Sequence, residues 1–211
     1  ASTALIADSF PNDKMFGYIM RGEIKAINNV LGNAVHPVTA IIGGAKVSSK
    51  IGVIQHLFGV VDNMIIGGGM VYTFVKAQGG KIGNSLCEDD QLGLALDIIK
   101  DAEQKGIKLY FAKDAVVADS FDNNAKSQIV PSNEIPDGWM SMDAGPESLK
   151  IWEEVLKNSK TILWNGPVGV FEMPNFARSF CKWNCEAFSS SSKELKGVRT
   201  SISRKKPKSL T

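Results

Sequence analysis

The chain has 211 residues, of which 44% are hydrophobic and 22% charged, enough material for one soluble globular domain with its own core. A formal charge of +2 is too small to mark a nucleic-acid binder, and the apolar runs are strand-length and end in glycine, so neither nucleic acid nor membrane is an expected partner. Three cysteines, Cys87, Cys181 and Cys185, suit a reducing compartment better than a disulfide framework; with no basic secretory start at the N-terminus, the cytoplasm is the expected location.

Residues 1–7 read as a strand, Pro11-Asn12-Asp13 as a turn, and residues 15–31 as a helix with Ile19, Ile24, Ile27 and Leu31 at helical spacing. Val38, Ala40, Ile41 and Ile42 form a buried-strand run that stops at Gly43-Gly44. Beyond it, Val47, Ile51, Ile54, Leu57, Phe58 and Val61 recur at steps of three and four, the stripe of an amphipathic helix. The glycines then sit at a strand-to-helix turn, where the first helical N–H groups and the positive dipole end favour an anion. Lys46 and Lys50, four residues apart, would project from one side of that helix end. Glycines and lysines alone fit an ordinary βα turn with two solvated lysines equally well. The spacing matches neither the Walker A loop nor the dinucleotide pattern G-x-G-x-x-G, which disfavours a nicotinamide-dependent dehydrogenase.

A second βα unit runs through Val61 and Met64 to Ile66 into Gly67-Gly68-Gly69, then a helix from Met70 to Ala77 closed by Gly79-Gly80. Glu88-Asp89-Asp90 start a third helix with a stripe of Leu92, Leu96, Ile99 and Ala102, closed by Lys105-Gly106 before a strand over residues 107–111. Residues 115–118 read as a short strand and residues 120–138 as a polar surface connection. Asp143 is placed to cap a helix led by Pro146 and Glu147, with Leu149, Trp152, Val155 and Leu156 as its stripe, and residues 161–164 form a strand running into Asn165-Gly166-Pro167. Strands alternating with helices predict a parallel sheet with ligands at the carboxyl ends of its strands, and the glycine turns are expected on that edge. His36 and His56 read as structural, and Cys181 and Cys185, on one helix face without a nearby histidine, as a weak metal site.

Three ordered motifs, G-G-A-K-V-S-S-K-I from Gly43, G-G-G-M-V-Y-T-F from Gly67 and W-N-G-P-V-G-V-F-E from Trp164, together resemble the phosphoglycerate kinase family over residues 1–177. The resemblance implies an α/β fold, a three-layer Rossmann-like parallel sheet with helices on both faces, incomplete at the C-terminus. It divides the chain into 1–34 (end of an N-terminal domain and interdomain helix), 35–177 (nucleotide-binding domain) and 178–211 (a divergent basic tail). The implied activity is reversible phosphoryl transfer between 1,3-bisphosphoglycerate and ADP, giving 3-phosphoglycerate and ATP, with Mg2+ accompanying the nucleotide, in a monomer. The alternative is an inactive adenine-nucleotide-binding fragment.

By the same resemblance, Gly43, Gly44 and Ala45 match the turn beside the nucleotide, and Lys46 the lysine that holds its phosphates. Lys50 matches the lysine that accompanies the phosphoryl group in transit and is the expected catalytic residue. Gly67 and Gly68 would wall the adenine, close helix-to-strand packing being their other reading. Ser141-Met142 stand where the family commonly has Gly-Leu, so Ser141 is expected to reshape that wall. Asn165, Pro167 and Val170 match residues around the phosphates and sugar, and Glu172 the carboxylate that accepts from ribose hydroxyls. From Arg178 onward the family's Gly-Gly-Gly-Asp-Ser, with its metal-ligating aspartate, does not occur. A truncated, spliced or frame-shifted ending is expected, with no metal ligand in this chain, a disordered basic end at Arg204-Lys205-Lys206-Pro207-Lys208, and little kinase activity from these residues alone.

Overall fold

The computed structural model describes residues 32–179 continuously, together with residues 17, 18, 21, 22, 25, 28, 198 and 199. Residues 18, 21, 22, 25, 28, 32 and 33 are helical, in line with the predicted first helix. The expected strand at 1–7, both tail cysteines and the basic end lie outside the described residues.

The apolar run at Val38 becomes β1 (Val38–Gly43), buried at every position, as a strand covered on both faces must be. It lies between β2 (Asn63–Gly67) and β9 (Thr161–Asn165), with β4 (Lys108–Tyr110) beyond β2 and β10 (Val198–Arg199) beyond β9, all parallel. Alternation along β1 divides the core. Val38, Ala40 and Ile42 face one side, where they meet Ile54 and Leu57 of α1 (Ile51–Leu57), Phe74 of α2 (Val71–Ala77) and Ala95, Ile98 and Ala102 of α3 (Leu92–Gln104). Ile41 faces the other side, with Leu149, Trp152 and Leu156 of α4 (Pro146–Lys157). Helices therefore cover both faces, as expected. Each such buried aliphatic or aromatic side chain contributes about 1.5–3 kcal/mol relative to an exposed one.

Because α1 leaves β1 toward one face and α4 enters β9 from the other, the winding reverses between these neighbouring strands, and a crevice opens at their carboxyl ends. The turns at Gly43, Gly67 and Gly166 lie on that edge. Gly106 is a correction: it precedes β4 and lies on the opposite edge.

Three further expectations are corrected. Residues 120–138 are not a plain connection: β6 (Ser127–Pro131) pairs antiparallel with β5 (Asp114–Ala118), β8 (Met140–Ala144) pairs on its other side, and β3 (Lys81–Ile82) pairs with β7 (Glu134–Ile135). In α3 the buried stripe is Ala95, Ile98 and Ala102, while Leu96 is exposed, because packing against α2 selects the small-residue face. Asp143 does not cap α4; it is still extended within β8, and the N-cap position belongs to Gly145. The cap comes from Asp114, whose carboxylate accepts the Glu147 N–H at 3.0 Å and the Ser148 N–H at 2.7 Å, both orphan donors of the first turn.

Candidate functional site

Strand register brings three turns to one level: Gly43 pairs with Gly67, and Ile42 with both Ile66 and Asn165. The turns interlock through their backbones. A Cβ on Gly43 would lie 1.9 Å from the Pro167 carbonyl oxygen, and one on Gly67 2.5 Å from a Val168 methyl. Gly68 has φ +75° and sits against the Gly44 backbone, whose carbonyl accepts the Met70 N–H at 3.1 Å. The missing side chains of these glycines thus make room for the neighbouring turns.

Lys50 crosses this junction. Its side chain runs past Gly44 and its Nζ donates to Asn165 Oδ1 at 2.6 Å, joining the turns after β1 and β9. Lys46 does not stand beside it on a helix. The α-helix begins only at Ile51, so Lys46 belongs to the preceding turn and is exposed. Nor are the first N–H groups of that turn open to an anion. Glu88 accepts from Ser48 N at 3.0 Å and Ser48 Oγ at 2.6 Å, and from the Val47 amide. Desolvation pushes the Glu88 carboxyl up, but these hydrogen bonds, with Lys46 nearby, outweigh it and hold the group below its ordinary value.

Beside the junction lies a cleft of about 590 Å³. Gly44, Ala45, Gly67, Gly68, Ser141, Met142, Pro167, Val170 and Glu172 line it, whereas Gly43, Lys46, Lys50 and Asn165 lie outside its lining. One wall is set by a β-bulge: Val116 pairs with Asp143 and Val117 with Ser141, leaving Met142 as the extra residue. The Ser141 hydroxyl accepts from Tyr72, and the Ser141 amide donates to Ser85 Oγ at 3.0 Å, so its added polar group is partnered within the protein.

The sequence reading missed Tyr72, Leu86, Phe121 and Asp143, which also line the cleft. Leu86 and Phe121 are large apolar residues left 62% and 65% exposed at its rim. An aromatic isolated in a polar stretch was the available signal for Phe121. Burial pushes the Tyr72 hydroxyl up to about 12 and the Asp143 carboxyl up to about 6, the latter against hydrogen bonds from Ser179, Ala144 and Arg178. A larger groove of about 1290 Å³ between residues 78–81 and 129–137 contains none of the nucleotide-site residues expected from the sequence.

For a bound magnesium ion, the described residues are a poor fit. No group of three or more His, Cys, Asp or Glu converges among them, and the Asp143 oxygens are taken by Ala144 and Ser179. No helix among the described residues is long and apolar enough to cross a membrane.

Fold and cleft define an α/β protein with an open cleft at the carboxyl edge of a parallel sheet, where such folds hold their ligands. A family model described as phosphoglycerate kinase matches residues 1–197, twenty residues past the last position covered by the motif resemblance. A curated phosphoglycerate kinase of Porphyromonas gingivalis (strain ATCC BAA-308 / W83) is 56% identical over 178 residues, 84% of this chain and 43% of that protein. A solved phosphoglycerate kinase structure from Coxiella burnetii superposes with TM-score 0.74 at 36% identity, covering 77% of this chain and 42% of that one. One from Pyrococcus horikoshii OT3, at 22% identity and TM-score 0.66, shares the fold over 79% of this chain and 42% of its own. The chain belongs to the phosphoglycerate kinase family, and it spans about 43% of the length of the curated relative it matches.

Proposed function

We propose that the cleft binds ADP or ATP, and that the protein of which these residues form the nucleotide-binding part transfers a phosphoryl group between an acyl phosphate, 1,3-bisphosphoglycerate, and ADP. The observation that carries this reading is the convergence of three backbone turns, joined by the Lys50–Asn165 hydrogen bond, beside a cleft of about 590 Å³. That volume suits a small-molecule ligand. Met142, Val168 and Val170 offer apolar surface for a flat base, and exposed Glu172 offers acceptors to ribose hydroxyls.

In the forward reaction a terminal oxygen of ADP attacks the acyl phosphorus, the bond from phosphorus to the acyl oxygen breaks, and 3-phosphoglycerate leaves as a carboxylate. Such a transfer needs alignment and charge neutralisation more than a reactive side chain. Lys50, aimed by Asn165, supplies positive charge to the group in transit, while Lys46 meets the phosphates at rest. A second reading, in which these residues hold nucleotide without turning it over, draws on the share of the relative's length that they span.

Calorimetric titration of the folded chain with ADP tests the binding. Heats that saturate within the millimolar range support it, and their absence would count against it. An assay of ATP production from ADP and 1,3-bisphosphoglycerate, with magnesium, separates the two readings: turnover favours the enzyme, binding without turnover the inert unit.

A further inference from the structure

The cleft wall from Val168 to Val170 is fastened from behind. Asp143, 3% exposed, projects from β8 and accepts the Ser179 N–H at 3.0 Å and the Ser179 hydroxyl in a short hydrogen bond. The Ser179 hydroxyl also lies 3.3 Å from the Val168 carbonyl oxygen, and Ser179 is fully buried. Gly169 is pressed onto this pair: a Cβ there would lie 2.2 Å from Asp143 Oδ1 and 3.1 Å from Ser179 Oγ. Val170 N–H donates to the Met142 carbonyl at 2.9 Å, so the wall is hung between β8 on one side and Ser179 on the other. Ser179 itself does not line the cleft, whereas Asp143, Val168, Gly169 and Val170 do.

We propose that Ser179 is a positioning residue: by holding the Asp143 carboxylate and the Val168–Val170 backbone in register, the chain just beyond Ala177 sets the nucleotide affinity of a cleft it does not enter. This rests on the nucleotide reading above. The motif resemblance ends at Ala177, so nothing in the motifs pointed to Ser179. The physical reason is that Val168 and Val170 pack into separate clusters while Gly169 between them has no side chain to pack, so polar contacts set how the two halves of the wall sit relative to one another. A buried carboxylate that accepts from both N–H and O–H of one residue fixes the two segments in position and orientation.

The test uses the full 211-residue chain and three variants, Ser179→Ala, Asp143→Asn and the double substitution, with Ile98→Val as a control for general destabilisation in a helix remote from the wall. Without nucleotide, amide hydrogen exchange at Val170 is expected to quicken in Ser179→Ala while the amides of α4 stay protected. With ADP, each single variant is expected to bind about three- to tenfold more weakly and the double variant no worse than the weaker single one, the signature of coupled groups. Ile98→Val should lower the melting temperature without altering ADP affinity. Unchanged Val170 exchange in Ser179→Ala overturns the proposal, and so does faster exchange with unaltered ADP affinity or strictly additive losses. If the unsubstituted chain binds no ADP while Val170 exchange still responds to Ser179, the nucleotide reading falls and the fastening of the wall stands.

Discussion

Lys50 and Asn165, 115 positions apart in sequence, meet at 2.6 Å across the turns that follow two adjacent parallel strands. The amide oxygen of Asn165 thereby holds a lysine over a glycine backbone at the edge of the cleft. A lysine so placed is pre-aimed, which favours a role in rate over one in ground-state holding. For the proposed phosphoryl transfer, Lys50→Ala is expected to lower turnover about a hundredfold or more while nucleotide affinity falls little. Steady-state kinetics with a parallel binding titration checks this; equal losses in both would refute the assigned role.

Gly43 and Gly52 make a paired test of backbone crowding. A methyl group on Gly43 would collide with the Pro167 carbonyl, so Gly43→Ala should destabilise by roughly 1–3 kcal/mol and part the turns after β1 and β9. Gly52 lies exposed in α1 with open space around it, and Gly52→Ala should stabilise by up to about 1 kcal/mol. Chemical denaturation of both variants would reveal whether the signs are opposite.

Asp114 caps a helix from another strand. Its replacement by alanine leaves the Glu147 and Ser148 N–H groups without their acceptor and removes one of the two acceptors of the Ser148 hydroxyl, the Asp114 backbone carbonyl remaining. A loss of about 1–3 kcal/mol is expected, with fraying at the start of α4 visible as faster amide exchange at Ser148. Loss of stability without that local fraying would argue for a different role.

The Asp143 carboxyl carries a pH signature. Burial raises it to about 6 from an ordinary 3.8, while the groups facing it are the Ser179 N–H and hydroxyl and the Ala144 and Arg178 N–H. The folded state therefore binds more protons than the unfolded one between about pH 4 and 6, and the contribution of this group to stability is present below pH 4 and lost as pH rises through 6. The difference is on the order of 3 kcal/mol. Asp143→Asn should flatten the stability profile across that window, as thermal unfolding at a series of pH values will show.

β1, β2 and β9 were legible because they are short apolar runs that stop at a glycine turn, and the stripes of α1 and α4 because apolar residues recur at helical spacing; β10, two residues in a stretch read as a divergent tail, was not. The antiparallel sheet was not. β6 is a largely exposed edge strand, and Ser127–Pro131 carries little of the alternation that marks a half-buried one. In α3, hydropathy favoured Leu96, but the helix turns Ala95 and Ile98 inward to pack closely on α2. At the site the glycine turns were readable from motifs, and Ser141-Met142 only through the family resemblance those motifs carry. The Glu88 carboxylate at Ser48, the Asp114 cap and the Asp143–Ser179 pair were not, because each joins residues at least thirty-three positions apart through polar contacts that leave no periodic trace.

The central claim, a nucleotide cleft at the carboxyl edge of the sheet, is tested most directly by mapping ADP onto the backbone amides of the isotopically labelled chain by NMR titration. The predicted result is saturable shifts concentrated at Gly44, Ala45, Gly68, Val170 and Glu172, with residues 129–137 of the larger groove unmoved. Shifts confined to that groove, or none at any of these amides with millimolar ADP, would contradict the account.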